Sequence, residues 1–186
     1  PGGGWPGTLH DVVSAIDHLA TIVTDGIELD LKRVIVAGHS AGGHLALWVA
    51  ARNKPVNISS PVHVQPIAAV GLAAITDLAR TCELNTGKGA VNEFLGGPHS
   101  QYPDRYAAAS PIELLPLGVR QLIIHGVKDE ALPIDLSRNY AAAAQASGDC
   151  IELVELSDIG HMDFLDPSSK AHSAFCEWLA TQVITM

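Results

Sequence analysis

"VIVAGHSAGGHLALWVAAR", residues 34–52, opens as one kind of structure and closes as another. Val34 to Val36 is an apolar, β-branched run of the sort a buried strand uses. Leu45 to Ala51 is built of helix formers. Between them stand Gly38, His39, Ser40, Ala41 and Gly42, with Gly43 behind. This is the G-x-S-x-G pattern in the strand–turn–helix setting that its chemistry requires. The turn forces Ser40 into a strained backbone conformation, and the residues two positions away, Gly38 and Gly42, are expected to lack bulk because side chains there would collide. In return the hydroxyl stands clear of the sheet at a helix start, where the backbone N–H of Ala41 faces a developing oxyanion. A second reading, a Gly-rich turn whose serine only caps the helix, stays open at this point. A phosphate-binding loop does not, since no G-x-x-x-x-G-K-[ST] is present.

A serine hydroxyl is a weak nucleophile at neutral pH. It needs a base, usually histidine, oriented by a carboxylate. Around a sheet of this kind the partners come in the order serine, acid, histidine, on loops at the carboxyl ends of later strands. The strands therefore have to be found first. Apolar runs predict them over 33–38, 66–75, 121–125 and 151–156. Helices are expected over 9–24, where Val12, Ile16, Leu19 and Val23 recur at helical spacing behind a Thr8 cap and Asp11, and over 41–53 and 134–147. A closing amphipathic helix, 168–183, carries Phe175, Trp178 and Leu179. Strands alternating with helices, each strand a continuous apolar run, predict an α/β fold: a mostly parallel sheet with helices on both faces. The 186 residues fit a single domain, 1–186, with room for a real core. Residues 76–118, rich in Gly and Pro, read as irregular, with short helices near 91–95 and 103–108. They are a candidate lid or cap over an acyl pocket, with Leu78, Phe94 and Leu95 as wall candidates, or else a solvated connection.

After the third strand comes "HGVKDEALP", 125–133. Asp129 occupies the loop where an acid partner belongs, with Glu130 and Asp135 as competitors. After the fourth strand comes "SDIGHMDF", 157–164, which supplies His161. Of nine histidines, it alone combines chain order, loop position and a strand end. His39 and His44 flank the serine and remain alternatives as base. His125 closes a strand and supports the acid loop.

A net charge of −9 argues against nucleic acid or an anionic membrane surface as partner; the small-molecule partner is read from the serine motif, not from the charge. No apolar run is long enough to cross a bilayer and no signal peptide is visible. Cys82, Cys150 and Cys176 are odd in number and lack metal-site spacing, so free thiols in a reducing, cytoplasmic compartment are expected. Neither a metal nor an organic cofactor is called for by this chemistry.

Taken together, "GHSAGGHLALWVAAR" (38–52), "ASPIELLP" (109–116), "LIIHGVKDEALPIDLSRNYA" (122–141) and "GHMDFLDP" (160–167) resemble α/β-hydrolases of the esterase and acylaminoacyl-peptidase kind. They are similar to small serine hydrolases related to kynurenine formamidase and carbohydrate esterases. The resemblance implies an α/β-hydrolase fold with Ser40 as nucleophile, Asp129 as acid, His161 as base and the Ala41 N–H as an oxyanion donor. It implies hydrolysis of a carboxylic ester or small amide. Aryl formamidase activity is one alternative, and a non-catalytic α/β-hydrolase-like binding protein is another. Such enzymes also carry an HGG-type loop that completes the oxyanion hole, set off from the nucleophile by a helix and a further strand. "PGGGW", 1–5, departs from that pattern, with only one helix before the nucleophile strand. It resembles the lead-in to that helix instead, which implies that the first strands of the fold, on its amino-terminal side, are missing.

Overall fold

The computed structural model describes residues 3–51 and 64–184. Helix α1 (Gly7–Thr24) leads to strand β1 (Ile35–His39) and helix α2 (Ala41–Ala50), and β2 (Ala68–Leu72) follows. Three short helices, α3 (Leu78–Glu83), α4 (Ala90–Leu95) and α5 (Pro103–Ala109), and a 3₁₀ turn (Pro111–Leu114) connect it to β3 (Arg120–Gly126). Then come α6 (Asp135–Ala146), β4 (Ile151–Leu156), a 3₁₀ turn (His161–Leu165) and α7 (Lys170–Ile184).

The four strands are parallel and lie in the order β1-β2-β3-β4. Each strand therefore needs a crossover, and the helices that supply it cover the sheet. Alternate residues serve opposite faces, as strand geometry dictates. Ala69 and Ile123 join Leu9 and Val13 of α1, Leu47 and Val49 of α2 and Tyr140 of α6 in one core. Ala68, Val70, Leu122 and Ile124 join Phe164, Ala171 and Trp178 in a second core beneath α7. Phe175 and Leu179 pack against that second core. The register sets Gly38 beside Gly71 and Gly71 beside Ile123, so the strands end together and their loops open on one rim.

Three local readings need correction. Thr8 is not the cap of α1: the helix starts at Gly7 after Pro6 without a side-chain cap, and the Thr8 hydroxyl accepts the Gly4 N–H at 2.9 Å. Residues 76–118 are more regular than their Gly and Pro content suggests. The two short helices form, and a third, α3, is capped by Asp77, whose carboxylate accepts the Arg80 N–H at 2.9 Å. The helix expected over 41–53 stops at Ala50, and its last two expected residues lie outside the described ones. Among the described residues no helix is long and apolar enough to cross a membrane. Cys82, Cys150 and Cys176 are free thiols.

Candidate active site

The turn from β1 to α2 holds Ser40 at φ 56°, ψ −117°. Non-glycine residues avoid positive φ, at a cost on the order of 1–3 kcal/mol. The surrounding structure enforces it. The Ser40 N–H donates to the Leu72 carbonyl at 2.9 Å, and its carbonyl accepts the His44 N–H at 3.1 Å. The hydroxyl caps nothing in α2, which removes the reading of Ser40 as a mere helix cap.

The close packing of this turn falls on different glycines than the pattern suggests. A Cβ on Gly38 would stand 2.2 Å from the Gly42 carbonyl oxygen. Yet a Cβ on Gly42 would meet nothing within 4 Å, whereas one on Gly43 would stand 2.6 Å from the Ala74 Cβ. The expectation that Gly42 must lack bulk is therefore wrong. Gly38 clears the Gly42 backbone, and Gly43 lets α2 approach the loop after β2.

Asp129 lies in the loop after β3 with its side chain fully buried. One carboxylate oxygen, Oδ1, accepts the N–H groups of Ala131 and Leu132, each at 2.8 Å. The other, Oδ2, lies 2.7 Å from His161 Nδ1. A carboxylate only accepts, so Nδ1 carries the proton and Nε2 offers its lone pair. That Nε2 is 3.0 Å from Ser40 Oγ. Side chains far apart in sequence thus form one hydrogen-bonded chain: serine hydroxyl, imidazole, carboxylate. The acid and histidine loops are also tied to each other. Lys128 N–H donates to the Ile159 carbonyl at 3.0 Å, and a Cβ on Gly126 would stand 2.1 Å from that same oxygen.

The competing residues point elsewhere. Glu130 is exposed, and Asp135, at the start of α6, pairs with Arg138 at 3.3 Å. His44 is buried and donates from Nε2 to the Ala109 carbonyl at 2.8 Å; burial pushes its pKa down to about 4. His39 donates from Nε2 to the backbone carbonyl of His161 at 2.8 Å, its ring 4.7 Å from that of His161 and stacked on Phe164 at 5.7 Å. Burial is also the main influence holding His39 below its usual pKa, outweighing the His161 carbonyl that raises it. No sequence signal announces this bond, because its two ends meet only when the sheet forms.

His125, fully buried at the end of β3, sits behind the carboxylate. Its Nε2 faces the Leu132 carbonyl at 3.1 Å and Asp129 Oδ2 at 3.3 Å, and its Nδ1 lies 2.7 Å from Ser137 Oγ. Two acceptors at Nε2 require the proton there, so the Ser137 hydroxyl donates to Nδ1. Burial lowers the His125 pKa, keeping the ring a neutral donor behind the buried carboxylate.

The Ala41 N–H is the first of α2, among those a helix leaves without an intrahelical partner. In the glycine-rich loop at the amino end two N–H groups are already engaged: Gly4 donates to the Thr8 hydroxyl at 2.9 Å and Trp5 to the Phe94 carbonyl at 2.7 Å. An apolar pocket of about 200 Å³ opens beside Ala41. His44 and Leu45 of α2, Ile75, Leu78 and Phe94 line it, while Leu95 is buried in the core and takes no part in the wall. A larger hollow, about 350 Å³, lies at the opposite end of β1 around Arg33 to Ile35, away from these loops. Among the described residues no cluster of three histidine, cysteine or acidic side chains is placed to hold a metal ion.

The fold has counterparts among known proteins. A truncated form of a carbohydrate esterase from gut microbiota superposes with a TM-score of 0.71 at 21% identity, over 85% of this chain and 62% of its own. A thermophilic esterase from the Planctomycetes species Thermogutta terrifontis gives 0.70 at 23%, over 95% and 63%. An acetyl ester-xyloside bifunctional hydrolase from Caldicellulosiruptor lactoaceticus gives 0.73 at 20%, over 97% and 67%. The chain thus spans a little under two thirds of the first two. Comparison with curated proteins found no match. The BD-FAE family model matches residues 3–143, well over half of the sequence. On that match, and with a parallel sheet flanked by helices as in those esterases, the chain belongs to the BD-FAE family and has the α/β-hydrolase fold.

Proposed function

We propose that this protein is a serine esterase, cleaving a carboxylic ester through an acyl-enzyme on Ser40. The observation that carries this reading is the unbroken hydrogen-bonded chain from Ser40 Oγ through His161 to Asp129, 3.0 and 2.7 Å. A structural role for the three groups would not need a strained serine whose hydroxyl bonds to a lone-pair nitrogen.

In the proposed reaction Ser40 Oγ attacks the ester carbonyl carbon while His161 Nε2 takes the hydroxyl proton. Asp129 stabilises the imidazolium and keeps its orientation. The carbonyl oxygen, now negative, accepts from the Ala41 N–H, with the positive end of α2 adding to the field. The carbon–oxygen bond to the alcohol breaks, and the alcohol leaves with the proton from His161. Water, deprotonated by His161, then attacks the acyl-enzyme, releasing the carboxylic acid and restoring Ser40. Esters fit better than amides, because structural neighbours of this fold carry esterase names.

Purified protein is assayed on p-nitrophenyl acetate and, separately, on N-formylkynurenine. The expected result is turnover of the ester, at least about a thousandfold weaker in Ser40→Ala, with little or no deformylation. Ester turnover unchanged in Ser40→Ala contradicts the proposal, and preferential deformylation replaces it with the formamidase reading.

A further inference from the structure

We infer that the pocket beside Ala41 receives the acyl group of the substrate, and that it is built for apolar acyl groups of intermediate length. The inference rests on the esterase reading and goes beyond it by assigning the two halves of the ester to sides of the site.

The assignment follows from which elements line the pocket. In ester cleavage the leaving alcohol is protonated by the base, so it departs on the side of His161. The walls come from α2, the segment after β2, α4 and Thr8 of α1. No residue of the Asp129 loop or the His161 loop takes part. Ala41, the residue whose N–H is proposed to hold the oxyanion, forms part of the wall and directly follows the nucleophile in the chain. The Ile75 N–H also reaches toward the Ser40 carbonyl at 3.4 Å, joining the pocket wall to the nucleophile turn. The group that enters it from a carbonyl carbon on Ser40 is the acyl half.

Volume and chemistry then set the class. An apolar cavity of about 150 Å³ accepts a six-carbon guest such as benzene. A space of about 200 Å³ accordingly takes a chain of about six to eight carbons. The lining is aliphatic and aromatic apart from Thr8 and His44. His44 brings no charge at neutral pH: its Nε2–H is committed to Ala109, and burial holds its pKa near 4. A charged or sugar-like acyl group would lose its hydration there without replacement. An acetyl or formyl group would leave most of the space unused.

Two ester series test this. One keeps the p-nitrophenyl leaving group and lengthens the acyl chain from acetate to dodecanoate. The other keeps the acetyl group and lengthens the alcohol from methyl to octyl. Burial of one methylene is worth about a fourfold change in kcat/KM. The expected result is a rise of more than tenfold from acetate to hexanoate that stops beyond octanoate, against less than threefold variation along the alcohol series. Ala90, exposed at the pocket mouth, offers a second handle. In Ala90→Trp, with an unchanged Tm, the hexanoate-to-acetate ratio of kcat/KM is expected to fall at least tenfold. A flat acyl series with a rising alcohol series, or an unaltered ratio in Ala90→Trp, overturns the assignment while leaving the esterase reading standing. No hydrolysis of any ester overturns both.

Discussion

At the scale of single residues, the site depends on proton positions that the geometry dictates. His161 must carry its proton on Nδ1, because its neighbour there, Asp129, can only accept. Asp129→Asn keeps the shape but offers an amide that favours the wrong tautomer. The expected outcome is a kcat lower by about three to four orders of magnitude with KM little altered, read from steady-state ester kinetics. His125 acts one step further back. In His125→Leu the Ser137 hydroxyl and Leu132 carbonyl lose their buried partner, a cost of about 1–3 kcal/mol, expected as a Tm lower by several degrees. His44 links the interior to pH. Its pKa is pushed from 6.5 down to about 4 by burial. Between those values the unfolded chain binds a proton that the folded chain refuses. Stability is therefore complete above the unfolded value and is lost as pH falls through the window. At pH 5 the loss is on the order of 2 kcal/mol, about 4–8 °C in Tm for a chain of this size. His44→Gln keeps an N–H for Ala109 and does not titrate. Its Tm is expected to fall less than the parent's between pH 7 and 5, and equal slopes in a thermal melt would contradict this account.

At the scale of elements, the strand–turn–helix unit is where a spelled pattern and a packed structure part company. The G-x-S-x-G pattern was enough to predict a turn with a presented hydroxyl, because apolar periodicity changes across it. The glycine that the packing needs is another matter. Gly42 is named by the pattern but faces open space, and Gly43 is not named but abuts Ala74. What decides is a contact with the loop after β2, which local sequence does not encode. The two positions are expected to respond with opposite signs. Gly42→Ala gains helix propensity and is expected to leave the stability unchanged or raise it, by up to about 1 kcal/mol. Gly43→Ala forces α2 off the sheet and is expected to lower it by about 1–3 kcal/mol. Equal effects in a denaturant melt would mean that this packing is misread. The same limit explains Thr8: as a sequence signal it looks like a helix cap, but its hydroxyl is used by the N–H of Gly4, whose neighbour Trp5 is tied by its own N–H to the Phe94 carbonyl of α4. Helix α3 carried a readable signal in Asp77 before helix-forming Leu78 and Ala79, hidden by the Gly and Pro content around it.

At the scale of the whole molecule, the strand order does the positioning. Strands β1 to β4 lie side by side in chain order, so Ser40, Asp129 and His161, which follow β1, β3 and β4, open on one rim. Alternating strands and helices made that arrangement legible from sequence, as did the order serine, acid, histidine. The supporting bonds of His39 and His125 were not legible, since they depend on how the loops cross above the sheet. The rim is proposed to arm Ser40 as a nucleophile in the folded chain, and labelling with a fluorophosphonate, read by intact-protein mass spectrometry, tests this. The expected result is one adduct per chain, mapped to Ser40, absent in Ser40→Ala and formed at least a hundredfold more slowly in His161→Ala. A folded chain that takes no adduct, or one labelled equally well in Ser40→Ala, would contradict the account.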